Sequence, residues 1–309
     1  MKKIFIDGKA GTTGLRIYER LENREDIEFL TLSEEKRKDP ICRKEMLNSA
    51  DVVFLCLPDA AAIEAVSMIE NPDTVVIDTS TAHRTNPDWV YGFAELFDGN
   101  EEKIKNSKRI AVPGCHASGF IALVAPLVEK GVISKGAELT CHSITGYSGG
   151  GKKMIAQYKD EKTPLLEAPR QYALTQNHKH LREMKAICNL EKEPIFCPIV
   201  SDFYSGMAVT VPLFKSMLND GFTIEDIKNI YKEKYNGSIV SFKESPDEDG
   251  MYSAMALSGK DNMEVSVFGN EERILLTARY DNLGKGASGS AVEILNIVLG
   301  VDKTTGLEM

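Results

Sequence analysis

The first hundred residues alternate short apolar runs with segments of helical periodicity. The runs KKIFID, IEFLTL, DVVFLCLP and TVVIDTS predict β-strands, and the last two are apolar enough for parallel strands covered on both faces. Helical patterns, GTTGLRIYERLENRED and DAAAIEAVSMIE, fill two of the intervals between these runs. Repeated strand–helix–strand units predict an α/β architecture with a doubly wound parallel sheet.

The pattern changes after about residue 135, where strand-like runs follow one another with fewer helices between them. These runs are AELTCHSITGY, PIFCPIV, MAVTVPLF, SIVSFKE, SAMALSG (residues 253–259), MEVSVFG and RILLTARYD. Many alternate apolar and polar positions, which is typical of a sheet with one covered face, so we expect an α+β second domain. The last segment, GASGSAVEILNIVLG, returns to helical periodicity and is expected to pack back on the first domain. The expected domains are therefore residues 1–114 with 286–309, and residues 115–285.

Composition describes an ordinary globular chain of 309 residues, 42% hydrophobic and 27% charged. The net charge of -9 does not favour nucleic acid or an anionic membrane as a partner. No apolar run approaches the roughly 18–20 residues of a membrane span, and the amino terminus lacks the pattern of a signal peptide. The six cysteines form no C-x-x-C pair, which argues against a disulfide framework and a zinc site. The cytoplasm is the expected compartment.

Three glycines follow the first predicted strand directly and open a predicted helix. Gly8, Gly11 and Gly14 form G-x-x-G-x-x-G, with Thr12 and Thr13 in the second interval. Glycines at such a turn allow the backbone to approach a pyrophosphate, whose charge meets the helix N-terminus. The position of this motif within a strand–helix–strand unit predicts dinucleotide binding, although a glycine-rich turn without a ligand remains the alternative.

The choice of cofactor depends on the residues after the second predicted strand, where an acidic residue would bind the ribose 2′-hydroxyl of NAD. Here the strand is followed by TLSEEKRK, in which Ser33, Lys36 and Arg37 offer a donor and two cations for a 2′-phosphate. Glu34 and Glu35 weaken that interpretation. NADP is favoured over NAD.

Cys115 lies in VPGCHASGF, between a glycine and the first turn of a predicted helix. A thiol at a helix N-terminus meets the positive end of the helix dipole, which favours the thiolate. Nearby backbone N–H groups can also stabilise an oxyanion. A buried structural cysteine is the alternative, and it is the interpretation given to the other five cysteines.

A cysteine that transfers acyl groups needs an acid or base, and NHKHLREM supplies two histidines. In an extended segment His178 and His180 would share one face and point into one cleft. A metal site is not expected, because no carboxylate or cysteine stands nearby at ligand spacing. His116 follows Cys115 directly but gains no role from that position, and His83 and His142 are expected to be structural.

A second glycine-rich segment, GYSGGGKK, lies between the cysteine and these histidines. The backbone N–H groups of Gly149, Gly150 and Gly151, with the charges of Lys152 and Lys153, can hold a phosphate or a carboxamide. A flexible loop is the alternative interpretation.

Taken together, these motifs resemble the shorter form of the N-acetyl-γ-glutamyl-phosphate reductases of arginine biosynthesis. The resemblance covers the whole chain and rests on the glycine motif, VIDTSTAHR, YGFAEL, VPGCHASGF, GYSGGGKK, NHKHLREM and DNLGKGASGSAVEILNIVLG. Aspartate-semialdehyde dehydrogenase and glyceraldehyde-3-phosphate dehydrogenase are the broader relatives. The resemblance implies a Rossmann domain, an α+β catalytic domain whose sheet also serves oligomer contact, and a homodimer or homotetramer.

Residue roles follow from the same resemblance. Cys115 matches the nucleophile and His180 the acid/base, with His178 and Glu183 as supports close to the substrate. The choice between the two histidines as proton carrier stays open. Arg84 is a candidate for the substrate carboxylate.

The glycine loop carries further implied contacts. Ser148, Gly149 and Gly150 match a loop that touches cofactor and substrate, and Lys152 is expected at the substrate. The chain departs from the family at Ala94 and Arg182, where proline is frequent, and Arg182 would affect the presentation of His180.

The implied reaction is the NADPH-dependent reduction of N-acetyl-γ-glutamyl phosphate through a thioester on the cysteine. Two alternatives remain: a reductase of another acyl phosphate, of the aspartate-semialdehyde dehydrogenase type, or a sensor that binds NADP without chemistry. A sensor has no need for a reactive cysteine, a histidine and an arginine together.

Overall fold

The computed structural model describes residues 1–309, the whole chain. In chain order its strands and helices are β1 (Lys2–Asp7), α1 (Thr12–Leu21), β2 (Ile27–Leu30), α2 (Pro40–Ser49), β3 (Val52–Leu55), α3 (Asp59–Met68), β4 (Val75–Asp78), β5 (Val90–Tyr91), α4 (Asn100–Asn106), β6 (Arg109–Ala111), α5 (Cys115–Glu129), β7 (Thr140–Gly146), α6 (Gly151–Lys159), α7 (Pro164–Glu167), β8 (Arg170–Gln171), α8 (Lys179–Ile187), β9 (Ile195–Ser201), β10 (Met207–Phe214), α9 (Ile224–Lys234), β11 (Val240–Phe242), β12 (Met263–Gly269), β13 (Arg273–Tyr280) and α10 (Gly289–Leu299). None of the helices combines the length and the apolar composition that a membrane crossing requires.

The first compact unit comprises residues 1–94, 99–113 and 287–307. It contains a six-stranded parallel sheet in the order β2-β1-β3-β4-β6-β5. Helices α1, α4 and α10 pack in the hydrophobic cluster on one face, and α2 and α3 pack in the cluster on the other. Every residue of β3 and β4 is buried, as near-continuous apolar runs predict. The predicted doubly wound sheet is confirmed.

Helix α2 was not predicted from the sequence, although its start carries two recognisable signals. Pro40 is the first helical residue, and the Asp39 carboxylate accepts hydrogen bonds from the backbone N–H groups of Ile41 (2.8 Å) and Cys42 (3.0 Å). Its apolar residues do not form a regular stripe, and Ile41 is exposed. Without that stripe, periodicity alone does not detect the helix.

The second unit comprises residues 95–98, 114–286 and 308–309. Its seven-stranded mixed sheet has the order β11-β12-β13-β10-β7-β9-β8. Helices α5 and α9 pack against one face of this sheet, and α8 packs against α5. The central strands β7, β9 and β10 alternate buried with more accessible positions, which confirms the predicted single covered face.

The predicted strand over residues 253–259 is wrong. That segment forms consecutive turns, in which Ser258 N–H donates to Met255 O (2.9 Å) and Lys260 N–H donates to Leu257 O (3.1 Å). These local bonds use the amide groups that a strand would offer to a neighbouring strand. The unit also holds more helix than expected, including α9, whose start is fixed by a capping box between Thr223 and Asp226.

Candidate active site

The glycine turn after β1 has a backbone that only glycine fits well. Gly8 has φ +91°, and a Cβ there would lie 2.3 Å from the carbonyl oxygen of Cys56. A Cβ on Gly14 would lie 2.6 Å from Gly8 O, so this glycine lets α1 pack closely on the turn. Gly11 is the N-cap of α1, and no side chain caps the helix, which starts with Thr12. The turn therefore presents uncapped amides at a helix N-terminus, which suits a pyrophosphate.

A cavity of about 470 Å³ opens beside this turn within the first unit. Its lining combines the turn with the residues after β2, and it includes Gly8, Lys9, Ala10, Thr31, Leu32, Glu34, Arg37 and Lys38. The volume falls in the range of small-molecule sites, and no acidic residue ends β2 itself. The residues present therefore fit the nucleotide half of a dinucleotide.

The three residues predicted to hold a 2′-phosphate are not equally placed. Arg37 lines the cavity, and its Nη2 lies 2.7 Å from Glu34 Oε1, whereas Ser33 and Lys36 are not part of the lining. The Ser33 carbonyl accepts the N–H groups of Lys36 and Arg37 (both 3.0 Å), which shapes the turn. Lys38, which was not predicted, also lines the cavity.

A buried ion pair supports the same turn and was missed in the sequence. Asp7, the last residue of β1, accepts hydrogen bonds from Arg43 Nη2 (2.8 Å) and Nε (3.2 Å). Burial raises the pKa of Asp7, while Arg43 opposes that effect. Arg43 lies on α2, so the pairing of Asp7 with Arg43 could not be predicted without that helix.

Cys115 is the first residue of α5 and is partly exposed. The preceding Gly114 donates its N–H to the buried carboxylate of Glu183 (2.7 Å), and a Cβ on Gly286 would lie 3.2 Å from Cys115 Cβ. This glutamate therefore holds the backbone in front of the cysteine, and the substrate contact predicted for it stays a prediction. Among the other thiols, burial raises the pKa of Cys56 to about 12.

A tyrosine hydroxyl is inserted between backbone groups in the first turn of α5. Tyr280 donates to the carbonyl oxygen of Cys115 (2.5 Å) and accepts the N–H of Gly119 (3.0 Å), so it stands between the two groups that an ordinary helix would pair directly. A Cβ on Gly119 would lie 2.7 Å from this hydroxyl. Both hydrogen-bonding directions of the Tyr280 hydroxyl are thus committed to the backbone around Cys115.

His178 and His180 lie together, but not in the extended segment that the sequence analysis assumed. His178 is the N-cap of α8, and its Nδ1 accepts the N–H of His180 (3.3 Å). The two rings lie 4.8 Å apart between centroids, because the cap folds the first side chain back over the first turn. Burial, and secondly Lys179, lower the pKa of His178. The structure has no group of three or more His, Cys, Asp or Glu side chains placed to hold a metal ion.

His116, which had no predicted role, lies at the centre of a polar cluster on the covered side of the second sheet. Its Nδ1 lies 2.6 Å from Ser143 Oγ and its Nε2 lies 2.6 Å from Tyr172 Oη. The ring centroids of His178 and His180 lie 6.1 and 5.6 Å from that of His116. Tyr172 follows β8 directly and carried no signal in the sequence.

The second glycine segment forms a short 3-10 turn over Tyr147–Gly150 that leads into α6. Asn282 donates from Nδ2 to Ser148 Oγ (2.9 Å) and accepts the N–H of Gly206 with Oδ1 (2.9 Å). Ser148 is buried, while Gly149 and Gly150 are exposed. Asn282 therefore positions the loop and was not predicted.

Arg84 and Lys152, both predicted at the substrate, differ in burial. Arg84 is buried and donates from Nε to Val112 O and from Nη2 to Thr79 O (both 2.9 Å). These contacts hold the backbone that leads to Cys115, and the substrate role of Arg84 stays a prediction. Lys152 is exposed in the first turn of α6.

Comparison with known proteins supplies the family. Residues 3–107 match the family model described as semialdehyde dehydrogenase, NAD binding domain, and residues 115–282 match the model described as semialdehyde dehydrogenase, dimerisation domain. The N-acetyl-gamma-glutamyl-phosphate reductase of Sinorhizobium medicae is 45% identical over 96% of this chain and 98% of its own length. The enzyme of the same name from Trichormus variabilis is 44% identical over 99% of both chains.

A solved structure agrees at the level of the fold. The aspartate semialdehyde dehydrogenase II of Vibrio cholerae, complexed with ASA, has a TM-score of 0.73 and 16% identity, with 97% of this chain and 98% of that chain covered. At that identity the likeness supports the two-domain architecture and nothing finer.

Proposed function

This chain belongs to the N-acetyl-γ-glutamyl-phosphate reductases, and we infer that it reduces N-acetyl-γ-glutamyl phosphate with NADPH to N-acetylglutamate semialdehyde and phosphate, in arginine biosynthesis. The observation that carries this conclusion is the near full-length identity of 44–45% with reductases of that name. The match is supported by a partly exposed cysteine at the start of α5. The proposed compartment is the cytoplasm.

Cys115 is the proposed nucleophile. Its thiolate attacks the acyl carbon, the carbonyl electrons move to oxygen, and they return as the bond to phosphate breaks, which leaves a thioester. Glu183 and Tyr280 hold the backbone on either side of the sulfur, so the thiol sits on a fixed helix start. NADPH, when bound, supplies the hydride that reduces this thioester.

His180 is the proposed proton carrier. His178 uses Nδ1 to cap α8 and its pKa is lowered, which favours a neutral, structural ring. We expect His180→Asn to lower kcat roughly 100-fold, within the usual range for a general acid or base, and His178→Asn to lower it less than tenfold. The pH dependence of kcat measures the difference, because only the His180 variant should lose one limb of the profile. Equal loss in both variants would contradict the assignment.

The cofactor is NADPH, and Arg37 is proposed to meet its 2′-phosphate at the cavity beside the glycine turn. Arg37→Ser should raise the KM for NADPH about tenfold or more, because a charge-assisted pair is lost, and should leave the KM for NADH within twofold. Glu34→Gln is the matched variant, since it removes the carboxylate that shares Arg37, and should not raise the KM for NADPH. If Arg37→Ser raised the KM for NADPH and the KM for NADH equally, Arg37 would not recognise the 2′-phosphate.

The loop of Ser148, Gly149 and Gly150 is proposed to contact cofactor and substrate, with Lys152 drawing the anionic substrate toward it. The exposed backbone of these glycines and the exposed lysine support this role. Asn282 acts through Ser148 and is a positioning residue.

The chain contains a dimerisation domain and acts on a small molecule. We propose a homodimer or homotetramer that assembles through the accessible face of the second sheet, where Ile144 and Leu275 remain exposed. Light scattering on the purified protein decides between these states, and a monomer would refute both.

The reaction is tested in reverse, with phosphate present, by following reduction of NADP. N-acetylglutamate semialdehyde should be oxidised, and aspartate semialdehyde should give at most a slow rate. Activity only with aspartate semialdehyde would show that the protein is a reductase of the aspartate-semialdehyde dehydrogenase type. NADP binding without activity on either aldehyde would indicate a sensor.

A further inference from the structure

We propose that Tyr172 is a further catalytic residue, whose phenolic O–H donates a hydrogen bond to the oxyanion on the acyl carbon held by Cys115, and that His116 and Ser143 are the positioning residues that orient it. The inference rests on the proposed function, because the oxyanion belongs to acyl transfer. None of these three side chains has a role predicted from the sequence.

His116 is uncharged in its buried position. This ring is 3% exposed, and burial, followed by the influence of His178, lowers its pKa to about 3. The imidazole is therefore neutral at any working pH. A neutral ring has one N–H donor and one acceptor nitrogen, so its two hydroxyl partners must play opposite parts.

The buried serine fixes the direction of these two hydrogen bonds. Ser143 is fully buried on β7, and its hydroxyl makes its one hydrogen bond with His116 Nδ1. A buried O–H without an acceptor is costly, so Ser143 donates to Nδ1. The imidazole proton is then on Nε2, and Nε2–H donates to Tyr172 Oη. The three groups form a one-way chain, Ser143 to His116 to Tyr172.

The Tyr172 hydroxyl consequently has its own proton left to donate. Tyr172 Oη accepts from His116, so its own proton is left to donate elsewhere, and the side chain makes no other hydrogen bond in the structure. Its ring lies 6.0 Å from that of His116, the residue directly after Cys115. Burial, together with the charge of Cys115, raises the pKa of Tyr172, so the phenol keeps its proton and serves as a donor rather than a base. Tyr280, the other tyrosine close to Cys115, has its hydroxyl committed to the backbone.

In chemical terms, the donated hydrogen bond lies where negative charge develops. When the Cys115 sulfur bonds to the acyl carbon, the carbonyl electron pair moves onto oxygen, and the Tyr172 O–H stabilises that charge. As the pair returns, the carbon–oxygen bond to phosphate breaks and phosphate leaves. The Tyr172 proton stays on Tyr172 throughout, so no proton is gained or lost.

Tyr172→Phe tests the donor. We expect kcat to fall about 100-fold or more, as for loss of one oxyanion donor, with KM within twofold. Alkylation of Cys115 by iodoacetamide should stay within twofold of wild type, because that reaction forms no oxyanion. An unchanged kcat would overturn the proposal, and so would a parallel fall in alkylation, which would place the phenol on the sulfur. Tyr235→Phe is the matched control, since it removes a buried hydroxyl that donates to Ala122 O in α5, and kcat should be retained.

Ser143→Ala tests whether Ser143 and His116 orient the Tyr172 hydroxyl. Without the serine donor, the His116 ring loses the hydrogen bond that fixes its position, so its Nε2–H holds the Tyr172 phenol less firmly toward the substrate. We expect kcat to fall about tenfold, roughly the effect of one weakened hydrogen bond, and Ser143→Thr to restore it. Loss in both variants would indicate a merely structural serine.

The ¹⁵N NMR shifts of the His116 ring, read on the wild-type protein without substrate, give the tautomer directly. A proton on Nε2 is expected, and a proton on Nδ1 would contradict the proposed direction of the hydrogen bonds from Ser143 through His116 to Tyr172. Because this measurement needs no turnover, it separates failure of the hydrogen-bond chain from failure of the proposed function, which an inactive wild-type enzyme in the semialdehyde assay would reveal.

Discussion

Cys115→Ser is expected to abolish reductase activity, with a loss on the order of 10³-fold or more, the range found when a catalytic nucleophile is removed. A serine hydroxyl at this position is not ionised near neutral pH and does not form the thioester. Binding of NADPH, measured by fluorescence titration, should be unchanged, because every residue that lines the cavity beside the glycine turn lies between Phe5 and Leu57, far from the cysteine in sequence.

Cys42→Ser is the matched control for that variant. Cys42 also lies in the first turn of a helix and is also partly exposed, but it belongs to α2. This variant should keep full activity. If Cys115→Ser retained wild-type turnover, the covalent mechanism would fail; if both variants lost activity, the effect would not be specific to the nucleophile.

Gly8→Ala is expected to have the largest effect on stability. The left-handed backbone at φ +91° costs an L-residue about 1–2 kcal/mol, and the new Cβ would lie 2.3 Å from the carbonyl oxygen of Cys56, so a strand end must also move. Together these effects should lower the free energy of unfolding by about 2–5 kcal/mol. Because the same turn faces the cofactor cavity, the Kd for NADPH should rise at least about tenfold.

Gly99→Ala separates the cost of the left-handed backbone from the cost of the contact made by the new Cβ. Gly99 has φ +74°, but a Cβ there would meet nothing within 4 Å. Only the backbone effect remains, so we expect a loss of about 1–2 kcal/mol and no change in NADPH affinity. Chemical denaturation of both variants makes the comparison. Equal losses of stability would show that the contact with Cys56 is unimportant.

Sequence periodicity predicted the architecture because each pattern is local. Apolar runs identified β3 and β4, and alternation identified β7, β9 and β10. It failed where apolar spacing was absent or misleading, as in α2 and in the turns at residues 253–259. There capping and turn bonds, rather than a stripe of apolar residues, determine the conformation.

The candidate site was predictable only in part for a related reason. Cys115 carries a local signal, since proline, glycine and a helix start surround it. Tyr280, by contrast, reaches Cys115 across 165 positions, and Asn282 reaches Ser148 across 134. Such partners follow from the pairing of distant strands, and no short window of sequence contains them. Tyr172 belongs to the same class, because its contact with His116 depends on the position of β8 at the edge of the second sheet.

The central claim, that Cys115 holds the acyl group during the reaction, is tested most directly by trapping that group. In reverse and without phosphate, N-acetylglutamate semialdehyde and NADP should yield about one NADPH for each Cys115, since the thioester then has no phosphate to accept its acyl group. Mass spectrometry of the digested protein should find an N-acetylglutamyl group on the peptide that carries Cys115. Formation of NADPH with no adduct on that peptide would contradict the account.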